Sequence, residues 1–243
     1  MKERKRNTPL TPVVITTEQC TIDMKQQIIA HLPFLHGLSE QQLSTVVPIF
    51  REIGFEAGEQ IDTATNGGLF VVGAGLIKLV RSDYDGRDVV LDLLVTGEVF
   101  GSMVGFTELD RAVAHTACCL FHVSDGTLKT LFQQFPDIAV QLLEMTSMRI
   151  TLLHERLHLL TGATARARVI ATLVRLADKV GTDTPDGVLL QVPLSREELA
   201  SLSGTTPETA SRIISSLQRD NHVKTGRRWI TLATRFFELP GLD

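Results

Sequence analysis

The sequence predicts an α+β chain: an N-terminal β-roll of jelly-roll type, then one long helix, then a C-terminal winged helix-turn-helix. Three observations carry that expectation. Short β-rich runs broken by glycine fill the first half. The hydrophobic period then changes to 3.5 residues, with no Gly or Pro between residues 137 and 160. A capped pair of helices with a glycine turn follows near residue 200. At 243 residues the chain exceeds one ordinary domain. The expected divisions are a flexible segment at 1–27, the roll at 28–135, the long helix at 136–160 and the last domain at 161–243.

The first 27 residues begin with Lys2, Arg4, Lys5 and Arg6 but lack the apolar stretch of a secretory signal. From Phe34 to about Val123 the β-rich runs include Leu69-Phe70-Val71-Val72, Ile77-Lys78-Leu79-Val80 and Val89-Val90-Leu91-Asp92-Leu93-Leu94. Asp83-Tyr84-Asp85-Gly86-Arg87 sits between two of them and reads as a hairpin turn. Gly58, Gly67, Gly73, Gly97, Gly101 and Gly105 mark further corners, the pattern of a closed or rolled sheet.

After Pro136, apolar or small residues fall at Leu143, Thr146, Ile150, Leu153, Leu157 and Leu160, in alternating steps of three and four. This spacing is that of a coiled-coil seam and predicts a homodimer interface; one helix buried in its own domain is the alternative. Gly162 ends the helix. A second helix is expected from Thr164 to about Val180, then a polar turn from Gly181 to Gly187 and a strand from Val188 to Val192.

The densest signal lies between Ser195 and Ser216. Ser195 and Glu198 form a capping box that starts a helix, and Leu199, Ala200 and Leu202 supply its apolar face. Gly204 suits a turn that needs positive φ. Thr206 caps the next helix, with Pro207 in its first turn. Ala210, Ile213 and Leu217 are expected to face the first helix, leaving Glu208, Ser211 and Arg212 outward. The second helix of such a unit enters the major groove of double-stranded DNA, where a carboxylate accepts from cytosine and an arginine donates twice to guanine. Glu208, Ser211 and Arg212 are therefore the expected base readers. A basic hairpin follows, Val223-Lys224-Thr225-Gly226-Arg227-Arg228-Trp229-Ile230. Its Lys224, Arg227 and Arg228, with Arg196, Thr206 and Thr209, are the expected backbone contacts.

Composition is consistent with this reading. The chain is 43% hydrophobic with net charge −4. Residues from Thr161 onward carry 11 Lys/Arg against 9 Asp/Glu, and the remainder 13 against 19. The positive half is the one expected to meet a polyanion. No apolar run approaches 18 residues, so no membrane helix is expected. Cys20, Cys118 and Cys119 are too few for a disulfide framework and fit a reducing cytoplasm. Adjacent on a strand, Cys118 and Cys119 should face opposite sides, one in the core and one exposed or half-buried.

From Ile28 to Leu232 the chain resembles the CRP/FNR superfamily of bacterial transcription regulators. The resemblance rests on Leu32-Pro33-Phe34-Leu35, Phe55-Glu56-Ala57-Gly58-Glu59, Asp85-Gly86-Arg87, Thr96-Gly97-Glu98-Val99-Phe100-Gly101, and Leu194-Ser195-Arg196-Glu197-Glu198-Leu199-Ala200 with Gly204. It implies a cyclic-nucleotide-binding-like effector domain, a dimerisation helix and a DNA-binding domain, with RNA polymerase as a partner and activation as an outcome. Glu208, Ser211 and Arg212 match the FNR branch, which implies a palindrome of TTGAT-like half-sites.

The effector is not specified. The resemblance places a nucleotide pocket near Gly101, Ser102 and Arg111, and its contact with the helix near Leu153 and His154. Ser102 stands where the family's ribose-binding glutamate belongs and Ala112 follows Arg111, so cyclic AMP is not expected. A four-cysteine iron–sulfur cluster is excluded by the count of three, and Phe121 falls where the FNR branch has a ligand. Haem, with His115, His122, His154 or His158 as ligand, stays open, as does a small-molecule or gas effector or none. No metal site is expected. Two other classes fit the sequence less well: a metal-dependent cupin enzyme, disfavoured because no His-x-His occurs, and a ligand-binding subunit without DNA, which leaves the helix-turn-helix unexplained.

Overall fold

In the computed structural model, which describes residues 21–63, 65–102 and 110–239, the first half pairs into two four-stranded antiparallel sheets. β1 (Arg51–Phe55), β3 (Gly68–Ala74), β6 (Val99–Phe100) and β8 (Cys118–Ser124) take the order β1-β8-β3-β6. β2 (Gln60–Ile61), β4 (Ile77–Ser82), β5 (Asp88–Leu94) and β7 (Arg111–Ala114) take the order β2-β7-β4-β5. Ile61, Phe70, Ile77, Leu79, Leu94, Ala112 and Leu120, drawn from both sheets, form one core between them. The expected β4–β5 hairpin is present, its turn closed by Gly86 N–H donating to Asp83.

The central strands of the first sheet, β3 and β8, are buried on both faces. Their outer side packs Leu69, Val71, Phe121 and Val123 under α1 (Ile22–Ala30), α3 (Asp125–Gln134) and the start of α4 (Pro136–Gly162). Burial on both sides explains why β8 reads as a continuous apolar run without alternation. It also corrects the expectation for the cysteines: Cys118 lies in the inter-sheet core, Cys119 in the sheet–helix core, and both are 0% exposed. Burial pushes the Cys118 thiol up to about 12. Cys20 lies outside the described residues.

Two further expectations fail at the N-terminal side. Residues 22–27 belong to α1, so the segment expected to be flexible is helical from Ile22, with Thr21 as its cap. Lys25 of this helix reaches the sheet, its Nζ lying 2.7 Å from Glu52 and donating to the Phe50 carbonyl at 3.0 Å. Strand pattern was expected from Phe34, yet Pro33–Leu35 and Val47–Ile49 are 3₁₀ turns and α2 (Glu40–Val46) lies between them. The cause is local: Ser39 and Gln42 form a reciprocal capping box, which outweighs the β-branched residues that follow.

The chain divides at residue 154, within α4, into two units. The second unit carries α5 (Ala165–Val180), α6 (Arg196–Leu202), α7 (Pro207–Arg219) and a sheet of order β11-β12-β10-β9. β9 (Gly181–Thr184) and β10 (Gly187–Leu190) pair as a hairpin, so the polar stretch expected to be a turn is half strand. β11 (Val223–Gly226) and β12 (Trp229–Leu232) form the wing.

Candidate nucleic-acid interface

The capping box at Ser195 is formed: its side chain accepts from Glu198 N–H, and Glu198 accepts from Ser195 N–H. Leu199 and Ala200 are buried, and Leu202 is partly so. The chain then turns through Ser203 and Gly204. Gly204 has φ +57°, and a Cβ there would overlap Leu160 Cδ2. Thr206 caps α7 by accepting from Thr209 N–H at 3.3 Å, with Pro207 in the first turn.

α7 buries Ala210, Ile214 and Leu217. Ile214 takes the inner position expected for Ile213, which is only partly covered. From Ala210 the core step is four residues and then three, and the adjacent isoleucine fits that spacing. Glu208 and Arg212 are exposed and Ser211 is partly exposed. Arg212 Nη2 donates to Thr209 Oγ1 at 3.3 Å, its only hydrogen bond among the described residues.

Sequence reasoning missed the brace behind this helix. Arg168 of α5 donates to the carbonyls of Ser203 and Gly204, at 3.0 and 2.9 Å, and to Ala163 at 2.9 Å. Carbonyls in a tight turn lack helical partners, and a guanidinium fork satisfies several at once. No periodicity marks such a residue. Gln218 Nε2 donates to Thr225 Oγ1 at 2.7 Å and ties α7 to the wing.

The expected backbone contacts divide. Arg227 and Arg228 are exposed at the wing tip. Lys224 is paired with Asp186 at 3.0 Å in an exposed bridge, so it is not a free cation. Thr206 and Thr209 serve the cap of α7. Arg196 is half-buried, and burial lowers its pKa.

In the roll, the expected effector residues do not converge. Gly101 has φ +105° and packs against the Gly68 carbonyl, where a Cβ would clash. Ser102 is buried and its Oγ accepts from Gly68 N–H at 3.2 Å. Arg111 alternates with inward-facing Ala112 on β7, which puts it on the outer face of the other sheet. There it is ion-paired with Asp88 and donates to Ser82 at 3.3 Å. Residues 103–109, including Met103 and Gly105, lie outside the described residues. Leu153 and His154 are exposed on α4, as are Leu143, Ile150, Leu157 and Leu160. Leu160, expected in a dimer seam, also lies against Gly204. Arg149 donates to the Val99 carbonyl at 3.0 Å and fixes α4 beside β6.

The candidate haem histidines do not form a group. His122 is half-buried with its ring 4.4 Å from that of Phe70, and desolvation lowers its pKa. His154 and His158 are exposed on α4. Among the described residues no three His, Cys, Asp or Glu side chains group as a metal site. Nor is any helix among them long and apolar enough to cross a membrane.

A roll of cyclic-nucleotide-binding type, a long helix and a winged helix-turn-helix define a DNA-binding transcription regulator. The comparisons with known proteins give the family. A cyclic nucleotide-binding domain model matches residues 55–135, and a Crp-like helix-turn-helix domain model matches 167–235. The chain belongs to the CRP/FNR family. It is 29% identical over 204 residues to the cyclic AMP receptor protein of Thermus thermophilus, covering 80% of this chain and 89% of that one. It is 27% identical over 184 residues to the cAMP-activated global transcriptional regulator CRP of Salmonella typhimurium, covering 73% and 84%. Its fold is that of FixK2 from Bradyrhizobium japonicum, with TM-score 0.68 at 23% identity, covering 78% and 96%.

Proposed function

We propose that the chain is a homodimeric, sequence-specific regulator of bacterial transcription that reads a palindrome of TTGAT-like half-sites. The outer face of α7 carries this reading. Glu208 and Arg212 stand exposed on a helix whose start is fixed by the Thr206 cap and the Arg168 brace. A carboxylate and a guanidinium one turn apart suit a cytosine–guanine pair, with Ser211 toward the neighbouring thymines. Exposed Arg227 and Arg228 suit flanking phosphates.

The dimer is supported by the stripe on α4. Leu143, Ile150, Leu153 and Leu157 are between 48% and 67% exposed, although each is apolar and in heptad register. A symmetry mate covering them would set two recognition helices about 34 Å apart, one per major groove turn. Such a regulator acts in the cytoplasm together with RNA polymerase.

Control is proposed to run along α4. Arg149 holds the helix to β6, whose continuation is Gly101 and Ser102, while Leu160 at the far end touches the turn before α7. The signal is not cyclic AMP, because Ser102 and Arg111 are already engaged within the chain. It is another small molecule or gas, or the protein acts without one.

Gel retardation of a duplex with two inverted TTGAT half-sites, against a scrambled duplex across a salt series, tests the reading. The palindrome should be retained to higher salt, with affinity falling linearly on a double-logarithmic plot. Equal retardation of both duplexes at every salt concentration would remove sequence-specific reading.

A further inference from the structure

A cavity of about 260 Å³ lies within the second unit, between α5, the sheet and the wing. Leu173, Leu176 and Leu190 line it with the indole of Trp229, together with Arg196 and Arg228. No hydrogen bond or ion pair holds the Arg196 guanidinium among the described residues, although the residue is half-buried and its charge is disfavoured there. A guanidinium withdrawn from water without an anion is destabilising. Arg228 is strained as well: its φ is +68°, in the left-handed region, at a hairpin position that glycine occupies more cheaply. Residues held in this region by their surroundings cluster at ligand clamps and active sites.

The combination of apolar walls with two cationic groups defines the ligand. We propose that this cavity binds a small amphiphilic carboxylate, its head on Arg196 and Arg228 and its tail against Leu173, Leu176, Leu190 and Trp229. Size supports a fragment-sized molecule. At roughly 30 Å³ per water-sized group the cavity holds about nine of them, close to octanoate and below the drug-sized range. A bare phosphate would leave the apolar walls uncovered, and a neutral alcohol would leave the arginines unpaired. Such a ligand would compete with the DNA backbone for the same cations. That competition, unlike the site, rests on the proposed reading of these arginines as phosphate contacts.

Trp229 is the only tryptophan of the chain, so its emission reports on this cavity. The full chain, without DNA, is titrated with octanoate, octanol and inorganic phosphate. Octanoate should give a saturable change, at least about tenfold tighter than either control, and Arg196→Gln should weaken it by about tenfold. No saturable change up to about 10 mM would overturn the site. Octanol binding as well would reduce it to an apolar void, and phosphate binding as well to a simple anion site; either result also overturns it. Should Arg196→Gln not fold, Arg228→Gly is the second variant. It relieves the strained φ, so it should fold and still bind octanoate several-fold more weakly; unchanged affinity overturns the role of the wing. Retardation of the palindrome with and without octanoate then tests competition separately. Octanoate bound without loss of DNA supports the site and removes the antagonism.

Discussion

In the roll, Ser102 directs its hydroxyl to the Gly68 amide and Arg111 its guanidinium to Asp88 and Ser82. On α7 and the wing tip, Glu208, Arg212 and Arg227 stand in solvent, and Arg212 has only a long bond to Thr209. Both regions matched family models, yet one has its polar groups satisfied inside the chain and the other presents them outward. Polar groups paired internally gain little from an outside ligand, because binding must first break what holds them. Exposed groups on a braced helix have no such cost. The contrast supports the proposed recognition by the second unit and leaves the roll without free polar groups at Ser102 and Arg111.

The largest effect should come from the helix that both units share. Leu153→Glu with Leu157→Glu would bury like charges at the seam, roughly 3–5 kcal/mol for each unpaired charge. Sedimentation should then show a monomer and retardation a loss of operator binding. An unchanged dimer would move the interface elsewhere. Next is the base reader: Arg212→Ala should cost about 1–3 kcal/mol per half-site on the matched palindrome and much less where that base pair is changed. Arg227→Ala, in contrast, should weaken all duplexes alike and reduce the salt slope by about 1. If the two variants behaved identically, the contrast between base and backbone readers would collapse.

Arg168→Met should have an intermediate effect. It strips the carbonyls of Ser203 and Gly204 of a charged donor, so a loss of roughly 1.5–3 kcal/mol in unfolding free energy is expected. Operator affinity should fall while base preference is kept, because the helix is loosened but its face is unchanged.

Smaller effects distinguish the roll. Desolvation lowers the pKa of His122 in the fold, so the unfolded chain takes up its proton first as pH falls. Stability should be complete above about pH 6.5 and decline as the medium is acidified below it. His122→Phe should flatten that part of the melting profile. Glu52, whose carboxyl is held below its ordinary range by the bond from Lys25, adds a separate loss below about pH 4.5. Smallest of all is the effect of cyclic AMP, which should leave the melting temperature unchanged. A binder present at 100 times its dissociation constant adds about 2.7 kcal/mol. A clear upward shift would place a nucleotide in the roll and undo the comparison.

Elements with short-range causes were legible in the sequence. The capping box at Ser195, the Thr206-Pro207 helix start, the Asp-Gly hairpin and the heptad stripe each depend on residues within one or two turns of each other. Glycine at 204 was legible for the same reason, since a positive φ is a local demand. Where local signals competed, the sequence misled: β-branched residues after Phe34 suggested strand, while the Ser39–Gln42 box made a helix.

Other features depended on residues far apart in the chain. That β8 is covered on both faces depends on α1, α3 and α4 packing over the sheet, and it sent both Cys118 and Cys119 inside. Arg168 became the brace of the helix-turn-helix turn because α5 lies across it, 35 residues away along the chain. Arg111 became an ion-pair partner of Asp88 because their two strands both flank β4. Sequence alone determined the order of roll, long helix and helix-turn-helix and the residues that α7 turns outward, since caps, turns and periodicity act over a few residues. Only the tertiary structure decided which polar groups are already satisfied, because burial and long-range hydrogen bonding depend on which distant segments meet.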